Sequence, residues 1–257
     1  MITSTGNQQM KNLTLLMKKA KERNEQGVFV VEGPKMVKEA PKDWIQKVYV
    51  SESFEKENAD FLRDYDYETV SDSVYRTVSD TQTPQGILCL VKKPEYELRQ
   101  LLQVKTPHLL ILESVQDPGN LGTMVRTGEG AGISGIIMNR TTVDLFNPKT
   151  IRSTMGSIYR VPYFITPDLP ETIHTLKEQG ICMYAAHLKG KMQYDEPDYT
   201  KATAFMIGNE GNGLTDETAD LADAYIRIPM EGSVESLNAA ISASVLMYEA
   251  NRQRRRG

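Results

Sequence analysis

The sequence predicts an α/β fold organised as two domains. Short apolar runs alternate with helix-like segments along the whole chain, which is typical of layered α/β proteins. A length of 257 residues fits one large domain or two modest ones. The segment Lys92-Lys93-Pro94-Glu95 interrupts the alternation. We therefore expect a smaller α/β domain over residues 1–97 and a second α/β domain over residues 106–257.

The first half begins with a segment of helical periodicity. Residues 8–26 carry apolar side chains at helical spacing and are followed by Gly27, so we predict one helix there. Val28-Phe29-Val30-Val31 is a short apolar run that predicts a buried strand. The further elements expected in this half are a helix over 34–39, a strand over 47–50, a helix near 54–64 and a strand over 86–91.

The second half restarts with an apolar run, residues 108–112, that is dense enough to be buried on both faces, as parallel strands are. Further strands are expected at 135–138, 181–186, 202–207 and 225–228, with helices between them that include 121–130 and 216–221. A last helix is predicted from Ser236 to about Gln253. Its apolar stripe predicts docking on a sheet and consists of Leu237, Ala240, Ile241, Ser244, Val245 and Tyr248.

Composition limits the possible functions. The net charge of −4 argues against a protein that coats nucleic acid without selectivity, because such binding depends on an excess of Lys and Arg. Two ends of the chain are nevertheless basic, and each is either a solvated face or an RNA contact. The basic residues are Lys11, Lys18, Lys19, Lys21 and Arg23 at one end and Arg252, Arg254, Arg255 and Arg256 at the other.

Cysteine and histidine usage gives no sign of metal chemistry. Cys89 and Cys182 each lie in a short apolar stretch without a second Cys or a His at metal-ligand spacing, so we expect buried structural thiols and no metal. His108, His174 and His187 are scattered along the chain. No apolar run approaches the roughly 20 residues that span a bilayer, and the first residues do not resemble a secretory signal, so we expect a cytoplasmic protein.

A glycine pattern at residues 130–135 fits the G-x-G-x-x-G fingerprint of dinucleotide-binding turns. That fingerprint must follow a strand and open a helix. Here the pattern closes a predicted helix and leads into a strand, so we interpret these glycines as a helix C-cap and turn. A nicotinamide-dependent oxidoreductase is therefore disfavoured.

Three other segments carry candidate functional residues. Residues 113–122 form a loop between a strand and a helix, the usual position of ligand-contacting residues in α/β sheets. Arg126 lies inside that helix, three residues before Glu129, so the two side chains share a face and can pair. The alternative is an ordinary surface ion pair, which contributes little.

The second segment, residues 207–214, contains three glycines that allow a close approach of the backbone. The third consists of Ile228-Pro229-Met230 and then Ser236-Leu237-Asn238 at the start of the last helix. Ser236 by itself is explained either as a helix N-cap or as a catalytic group.

Taken in this order, the three segments resemble the SpoU (TrmH-like) class of the SPOUT superfamily of RNA 2′-O-ribose methyltransferases, over residues 108–251. The family's first motif is matched by Asn120, Gly122, Arg126 and Glu129, its second by Gly208, Asn209, Glu210 and Gly213, and its third by Ile228, Pro229, Met230, Ser236, Leu237 and Asn238. The first half looks like the family's substrate RNA-binding domain, whose typical opening is matched by residues 4–19 and by Val31-Glu32-Gly33.

This resemblance implies a C-terminal trefoil knot, S-adenosyl-L-methionine held bent in the knot, and a homodimer whose active site is completed by the partner. A knot violates the usual rule that chains do not thread loops, so no pattern in the sequence predicts it. The resemblance also implies that the cofactor is contacted, largely through backbone groups, by Leu188, Gly208, Ile228, Met230 and Leu237.

The implied reaction is in-line attack of a ribose 2′-hydroxyl on the methyl group of the cofactor. Arg126 is the catalytic position of the family, but a guanidinium with a pKa above ~12 is a fixed cation. We therefore predict that Arg126 stabilises the developing alkoxide and grips a phosphate, while the proton leaves to water, a phosphate or Glu210. The supporting roles predicted are loop geometry and ribose binding by Asn120, Ser236 and Asn238, orientation of Arg126 by Glu129, and support by Asn209.

The substrate is less defined than the reaction. A separate RNA-binding domain favours large-subunit ribosomal RNA, with transfer RNA as the second choice. An alternative from another class is a non-catalytic RNA-binding protein of ribosome assembly, against which the intact motif residues argue.

Overall fold

The computed structural model describes residues 1–256, which form two compact units. The helices, in chain order, are α1 (Gln8–Lys18), α2 (Ala20–Gln26), α3 (Pro34–Glu39), α4 (Glu52–Glu57), α5 (Ala59–Leu62), α6 (Asp72–Val78), α7 (Leu98–Leu101), α8 (Pro118–Ala131), α9 (Pro148–Thr154), α10 (Leu169–Glu178), α11 (Asp216–Ala219) and α12 (Ala239–Arg254), with short 3-10 turns at Lys42–Trp44 and Ser157–Tyr159.

The strands, in chain order, are β1 (Val28–Glu32), β2 (Ile45–Ser51), β3 (Tyr67–Val70), β4 (Ile87–Lys92), β5 (His108–Leu112), β6 (Gly135–Asn139), β7 (Tyr163–Thr166), β8 (Cys182–Ala186), β9 (Met192–Gln193), β10 (Thr203–Ile207) and β11 (Ala224–Arg227). The α/β class is confirmed. Strands β3, β7 and β9 had no counterpart in the prediction because all three are short, β3 and β7 are only partly buried, and β9 is exposed.

The first unit consists of Met1–Glu95 together with Asp144–Tyr159. Its sheet has the order β1-β4-β2-β3, with β4 antiparallel to both of its neighbours. Residues 144–159 pack into the core of this unit, where the centroid of the Phe146 ring lies 4.8 Å from that of the Phe29 ring. No pattern in the sequence had indicated that 16 residues from the second half belong to the first unit.

The helix expected over residues 8–26 is broken at Lys19, which has an extended backbone. The cause is Arg23, a buried residue whose Nη1 donates to the carbonyl oxygens of Leu16 (2.5 Å) and Met17 (3.3 Å). The guanidinium thereby satisfies carbonyls of the last turn of α1 that a continuous helix would have used. Its Nε and Nη2 donate to Asp144 Oδ2 at 3.0 and 2.5 Å. The single long helix was therefore a wrong prediction.

Replacing Arg23 with methionine is expected to destabilise the protein by about 3–5 kcal/mol, because Asp144 and two carbonyls lose a buried charged partner. Urea unfolding followed by circular dichroism measures this loss. The matched control is Lys21→Met on the same helix, which breaks an exposed pair with Glu25 and should cost little. Equal effects of the two substitutions would contradict the buried role of Arg23.

The second unit consists of Tyr96–Val143 and the chain from Arg160 onward. Its seven strands have the order β7-β6-β5-β10-β8-β11-β9, and every neighbouring pair is parallel. All five residues of β5 and all five of β10 are buried, as central parallel strands require. This arrangement confirms the predicted parallel sheet.

Helix α12 differs from the prediction in its start and in its buried face. It begins at Ala239, and its N-cap is Asn238 rather than Ser236. Of the predicted docking stripe only Ala240 is buried, whereas Leu237, Ser244 and Val245 are half-buried and Ile241 and Tyr248 are each 48% exposed. The buried face is instead formed by small and apolar residues, Ala240, Ala243, Leu246, Met247 and Ala250.

Two glycines of α8 lie against α12. A Cβ on Gly130 of α8 would lie 2.8 Å from the Tyr248 hydroxyl, and one on Gly128 would lie 3.6 Å from Met247 Sδ. Helices α8 and α12 therefore approach closely over glycines. Gly132 ends α8 in the left-handed conformation (φ 75°), as a C-cap glycine does, so the helix-ending interpretation of the glycine pattern is confirmed.

The basic C-terminal residues are partly explained by local contacts. Arg254 donates to the carbonyl oxygens of Thr106, Pro107, Tyr199 and Lys201, and Arg252 pairs with Glu249. These two arginines therefore have structural partners within the second unit, whereas Arg255 and Arg256 are exposed.

Cys89 is buried, and burial raises the pKa of its thiol to about 12, whereas Cys182 is only half-buried. None of the helices in residues 1–256 has the length and apolar character needed to cross a membrane.

Candidate active site

The three motifs lie in loops at one edge of the parallel sheet of the second unit. The loops follow β5, β10 and β11, and a fourth loop that begins at His187 follows β8. Because β5, β10, β8 and β11 are consecutive neighbours, their carboxyl ends lie side by side. This is the edge where open α/β sheets bind ligands.

Glu113, the first residue after β5, ties the first loop to the second. Its buried carboxylate accepts from the Thr215 backbone N–H (2.8 Å), the Thr215 hydroxyl (2.9 Å) and the Thr218 hydroxyl (2.6 Å). The neighbouring Ser114 adopts a positive φ of 56° and receives an amide hydrogen bond from Asn209 (3.0 Å). Glu113 was not among the predicted site residues, although a carboxylate at the end of an apolar strand was a usable signal.

Glu210 is the acceptor at the centre of the site. Its Oε2 accepts from the backbone N–H of Gln116 (2.9 Å), and its Oε1 accepts from the backbone N–H of Asp117 (3.0 Å) and from Asn120 Nδ2 (3.0 Å). Both oxygens are thus occupied by the loop that opens α8. The second motif therefore fixes the first.

The third motif joins the same network through two asparagines. Asn238 Nδ2 donates to Asn120 Oδ1 at 3.0 Å. The other end of the Asn238 amide caps α12, because Oδ1 accepts from the N–H groups of Ala240 (2.9 Å) and Ile241 (3.3 Å). A chain of hydrogen bonds from Glu210 through Asn120 to Asn238 therefore connects all three motifs.

This network sets the charge state of Glu210. Burial by itself raises the pKa of the carboxyl group, but the hydrogen bonds from Asn120, Gln116 and Asp117 outweigh it, and the net effect lowers the pKa. The carboxylate is therefore held ionised with its lone pairs engaged, which makes it a poor proton acceptor.

The tight turn of the second motif explains its glycines. Asn209 and Gly213 exchange backbone hydrogen bonds of 3.0 and 2.9 Å, and Asn209 Oδ1 accepts from the N–H groups of Gly211 and Asn212. A Cβ on Gly208 would lie 2.0 Å from the carbonyl carbon of Gly213. The close approach at Gly208 is therefore made by the chain itself.

Arg126 is exposed on α8, and its side chain forms no ion pair or hydrogen bond with residues 1–256. The expected pairing with Glu129 is wrong. The Glu129 carboxylate instead accepts from Arg160, with Nε donating to Oε1 and Nη2 donating to Oε2 at 3.2 Å. Arg160 thus approaches both oxygens of the carboxylate, and two-point pairs of this kind are the stronger ones. Ser236 is exposed and forms no side-chain hydrogen bond within residues 1–256.

The predicted cofactor residues follow three adjacent strands and the third motif. Leu188 is 65% exposed, whereas Ile228, Met230 and Leu237 are half-buried. Within residues 1–256, the backbone hydrogen bonds of loops and turns do not use the N–H groups of Leu188, Ile228 or Met230. An adenine ring needs apolar packing with a few main-chain donors and acceptors, so these residues fit S-adenosyl-L-methionine. No cluster of metal-ligating side chains occurs in residues 1–256.

Comparison with known proteins gives the family. Residues 107–248 match the model of the SpoU rRNA Methylase family, and residues 7–89 match an MRM3-like substrate binding domain. The chain belongs to the SpoU rRNA methylase family. It is 34% identical over 248 residues, 96% of this chain and 97% of the relative, to the 23S rRNA (guanosine(2553)-2′-O)-methyltransferase RlmP of Bacillus subtilis.

Solved structures of SpoU relatives have the same fold over nearly the whole chain. The SpoU methyltransferase AviRb of Streptomyces viridochromogenes in complex with AdoMet has a TM-score of 0.89 at 25% identity, covering 98% of this chain and 99% of that one. AdoMet-bound rRNA methyltransferase of Sinorhizobium meliloti has a TM-score of 0.85 at 31% identity, covering 98% and 97%. The predicted family, enzyme class and cofactor are confirmed: this SpoU protein is an S-adenosylmethionine-dependent RNA 2′-O-methyltransferase.

Proposed function

We propose that this SpoU enzyme methylates a ribose 2′-hydroxyl in large-subunit ribosomal RNA. The observation that carries the proposal is the hydrogen-bonded chain from Glu210 through Asn120 to Asn238, next to a helix that presents an unpaired Arg126. The similarity to a 23S rRNA methyltransferase over nearly the whole length of both chains supports the choice of RNA.

In this proposal Arg126 is the catalytic cation. The 2′-hydroxyl becomes negatively charged as it attacks, and a fixed guanidinium stabilises that charge without changing its own protonation. S-adenosyl-L-methionine supplies the electrophilic methyl group when it is bound along Leu188, Gly208, Ile228, Met230 and Leu237.

Asn120 and Asn238 hold the loops that flank the ribose, and Ser236, which has a free hydroxyl, donates to the RNA. Asn209 supports the turn that carries Glu210. Glu210 itself is a positioning residue, because both of its oxygens accept hydrogen bonds from the first motif. We therefore propose that water or an RNA phosphate accepts the proton of the 2′-hydroxyl.

The smaller domain, expected over residues 1–97, is proposed to bind the substrate RNA. Its match to a substrate binding domain over residues 7–89 supports this role. The larger domain, expected over residues 106–257, is proposed to contain the trefoil knot that the family resemblance implies. We propose a cytoplasmic location, which the similarity to RlmP of the bacterium Bacillus subtilis supports.

A homodimer completes the proposal, with the exposed apolar stripe of α12 as the surface between the two copies. Ile241 and Tyr248 are each 48% exposed on this stripe and would be covered by the partner. A dimer would also bring the Arg126 of one copy to the motifs of the other, which would give a partner to a side chain that has none within residues 1–256.

Changing Ile241 to glutamate is expected to convert the dimer to monomers and to abolish methyl transfer. Light scattering coupled to size-exclusion chromatography measures the mass. The control Leu15→Glu places the same charge on another exposed apolar position, on α1, and should leave the mass unchanged. A wild-type protein that is monomeric at micromolar concentration would contradict the dimer.

The substrate is tested by incubating the purified protein with labelled S-adenosylmethionine and unmodified transcripts of large-subunit ribosomal RNA or transfer RNA. Ribose methylation is then mapped in RNA from cells with and without the gene. We expect label only in ribosomal RNA. Label in transfer RNA would favour the second choice of substrate, and tight RNA binding without any label would favour a non-catalytic assembly protein.

A further inference from the structure

The pairing of Glu129 with Arg160 is not explained by the proposed function. The acidic residue of the first motif lies one helical turn after the proposed catalytic cation, yet it holds a different arginine. That arginine, Arg160, lies outside all three motifs and precedes β7. Nothing in the proposed function explains why the site contains it.

We propose that Arg160 is a positioning residue that neutralises Glu129 and thereby keeps Arg126 unpaired for the RNA. This inference rests on the proposed catalytic role of Arg126. The inference concerns how the charge of Glu129 is balanced on the exposed face of α8. The roles proposed for the three motifs do not address that charge.

The geometry supports a stable pair between Arg160 and Glu129. The guanidinium donates through Nε and Nη2 to both carboxylate oxygens, and the two side chains are only 45% and 33% exposed. Two-point pairs of this kind are stronger than single contacts between flexible side chains. Val161, the next residue, is buried and fixes the backbone that presents Arg160.

Without Arg160, the nearest cation along α8 is Arg126. Residues three apart on a helix face each other, and opposite charges at that spacing attract. Glu129 would then capture Arg126 part of the time and would leave a negative charge close to the developing alkoxide. Both effects oppose the reaction, because the transition state gains negative charge on the ribose oxygen.

The test compares single-turnover rates of four variants. We expect Arg160→Gln to lower the rate about 3- to 20-fold, the lower value reflecting partial capture of Arg126 and the upper value an uncompensated nearby carboxylate. Glu129→Gln and the double variant Glu129→Gln/Arg160→Gln should both stay within about twofold of wild type. Arg160→Lys keeps a positive charge opposite Glu129 and should retain most of the rate.

A second readout separates electrostatics from folding. The deficit of Arg160→Gln should shrink at high salt, because exposed charges are screened over about 3 Å at 1 M ionic strength. The matched control Arg99→Gln removes another exposed arginine from a carboxylate pair, with Glu97 at 2.5 Å, and should leave the rate unchanged. A double variant as slow as Arg160→Gln alone would overturn the inference, because Arg160 would then act directly on the RNA.

Failure of the inference is distinguishable from failure of the proposed function. If Arg126→Ala is inactive while Arg160→Gln has the wild-type rate, only the role of Arg160 is wrong. If Arg126→Ala keeps the wild-type rate, the catalytic assignment of Arg126 is wrong, and the inference falls with it.

Discussion

Replacing Arg126 with alanine is expected to reduce the single-turnover rate of methyl transfer by about 10²–10³-fold, the loss seen when one preorganised donor to a developing oxyanion is removed. Arg126 has no ion-pair or hydrogen-bond partner within residues 1–256, so its charge is available to the RNA. Binding of S-adenosylmethionine should be unchanged, because the proposed cofactor residues lie on other loops. Single-turnover transfer of labelled methyl and calorimetric titration of the cofactor measure the two quantities.

The lysine variant decides between an electrostatic role and a basic role for Arg126. Lysine keeps the charge but loses the planar fork, so we expect an intermediate rate and an unchanged pH dependence. A near-normal rate for Arg126→Lys together with a new ionisation in the pH–rate profile would show that this position acts as a base.

Changing Glu210 to glutamine is expected to lower the rate about 10- to 100-fold, with little change in the affinity for S-adenosylmethionine. An amide has one acceptor oxygen, whereas the carboxylate uses both of its oxygens for Gln116, Asp117 and Asn120. The amide NH₂ would face a backbone N–H, and charge-assisted hydrogen bonds of about 1.5–3 kcal/mol would be lost. Hydrogen exchange of residues 113–120 should accelerate in parallel.

The matched control for Glu210 is Glu217→Gln, which neutralises an exposed carboxylate of α11 and should leave rate and exchange unchanged. A wild-type rate for Glu210→Gln, or a loss of rate without faster exchange, would contradict the positioning role.

The pH dependence of the rate follows from the lowered pKa of Glu210. Because the folded protein lowers the pKa of Glu210, the ordering of the first loop should persist at neutral pH and weaken only as the pH falls below the ordinary carboxyl value of 4.5. The wild-type rate should therefore show no ionisation of Glu210 between pH 5 and 8. An essential carboxylate that titrates near neutrality would contradict this expectation.

Dense apolar runs were sufficient to predict the parallel sheet. Strands such as β5 and β10 are buried on both faces, so their sequences are continuous apolar runs. Such runs indicate central strands of a parallel sheet. The site followed from the same pattern, because loops after neighbouring parallel strands must share one edge. Asn120, Glu210 and Asn238 are accordingly brought together as a hydrogen-bonded set.

Long-range pairing was beyond the reach of local patterns. The spacing of apolar residues in α12 could not show which face packs against α8, where Gly128 and Gly130 lie beside Met247 and Tyr248. Sequence proximity likewise favoured Arg126 as the partner of Glu129, whereas the partner in the structure is 31 residues away. Arg23 broke a predicted helix because its partner, Asp144, lies 121 residues later.

The assignment of residues 144–159 to the first unit has a consequence for synthesis on the ribosome. Residues 1–95 lack the Phe146 side chain and the Asp144 carboxylate that complete their core, so the first unit should fold fully only after Tyr159 has emerged. At about 5–20 residues per second, Tyr159 emerges roughly 3–13 s after Glu95 has emerged. β5 and β6 are synthesised during that interval, whereas β8 and β10 are synthesised only after it. Nascent chains are therefore expected to depend on chaperones at this stage.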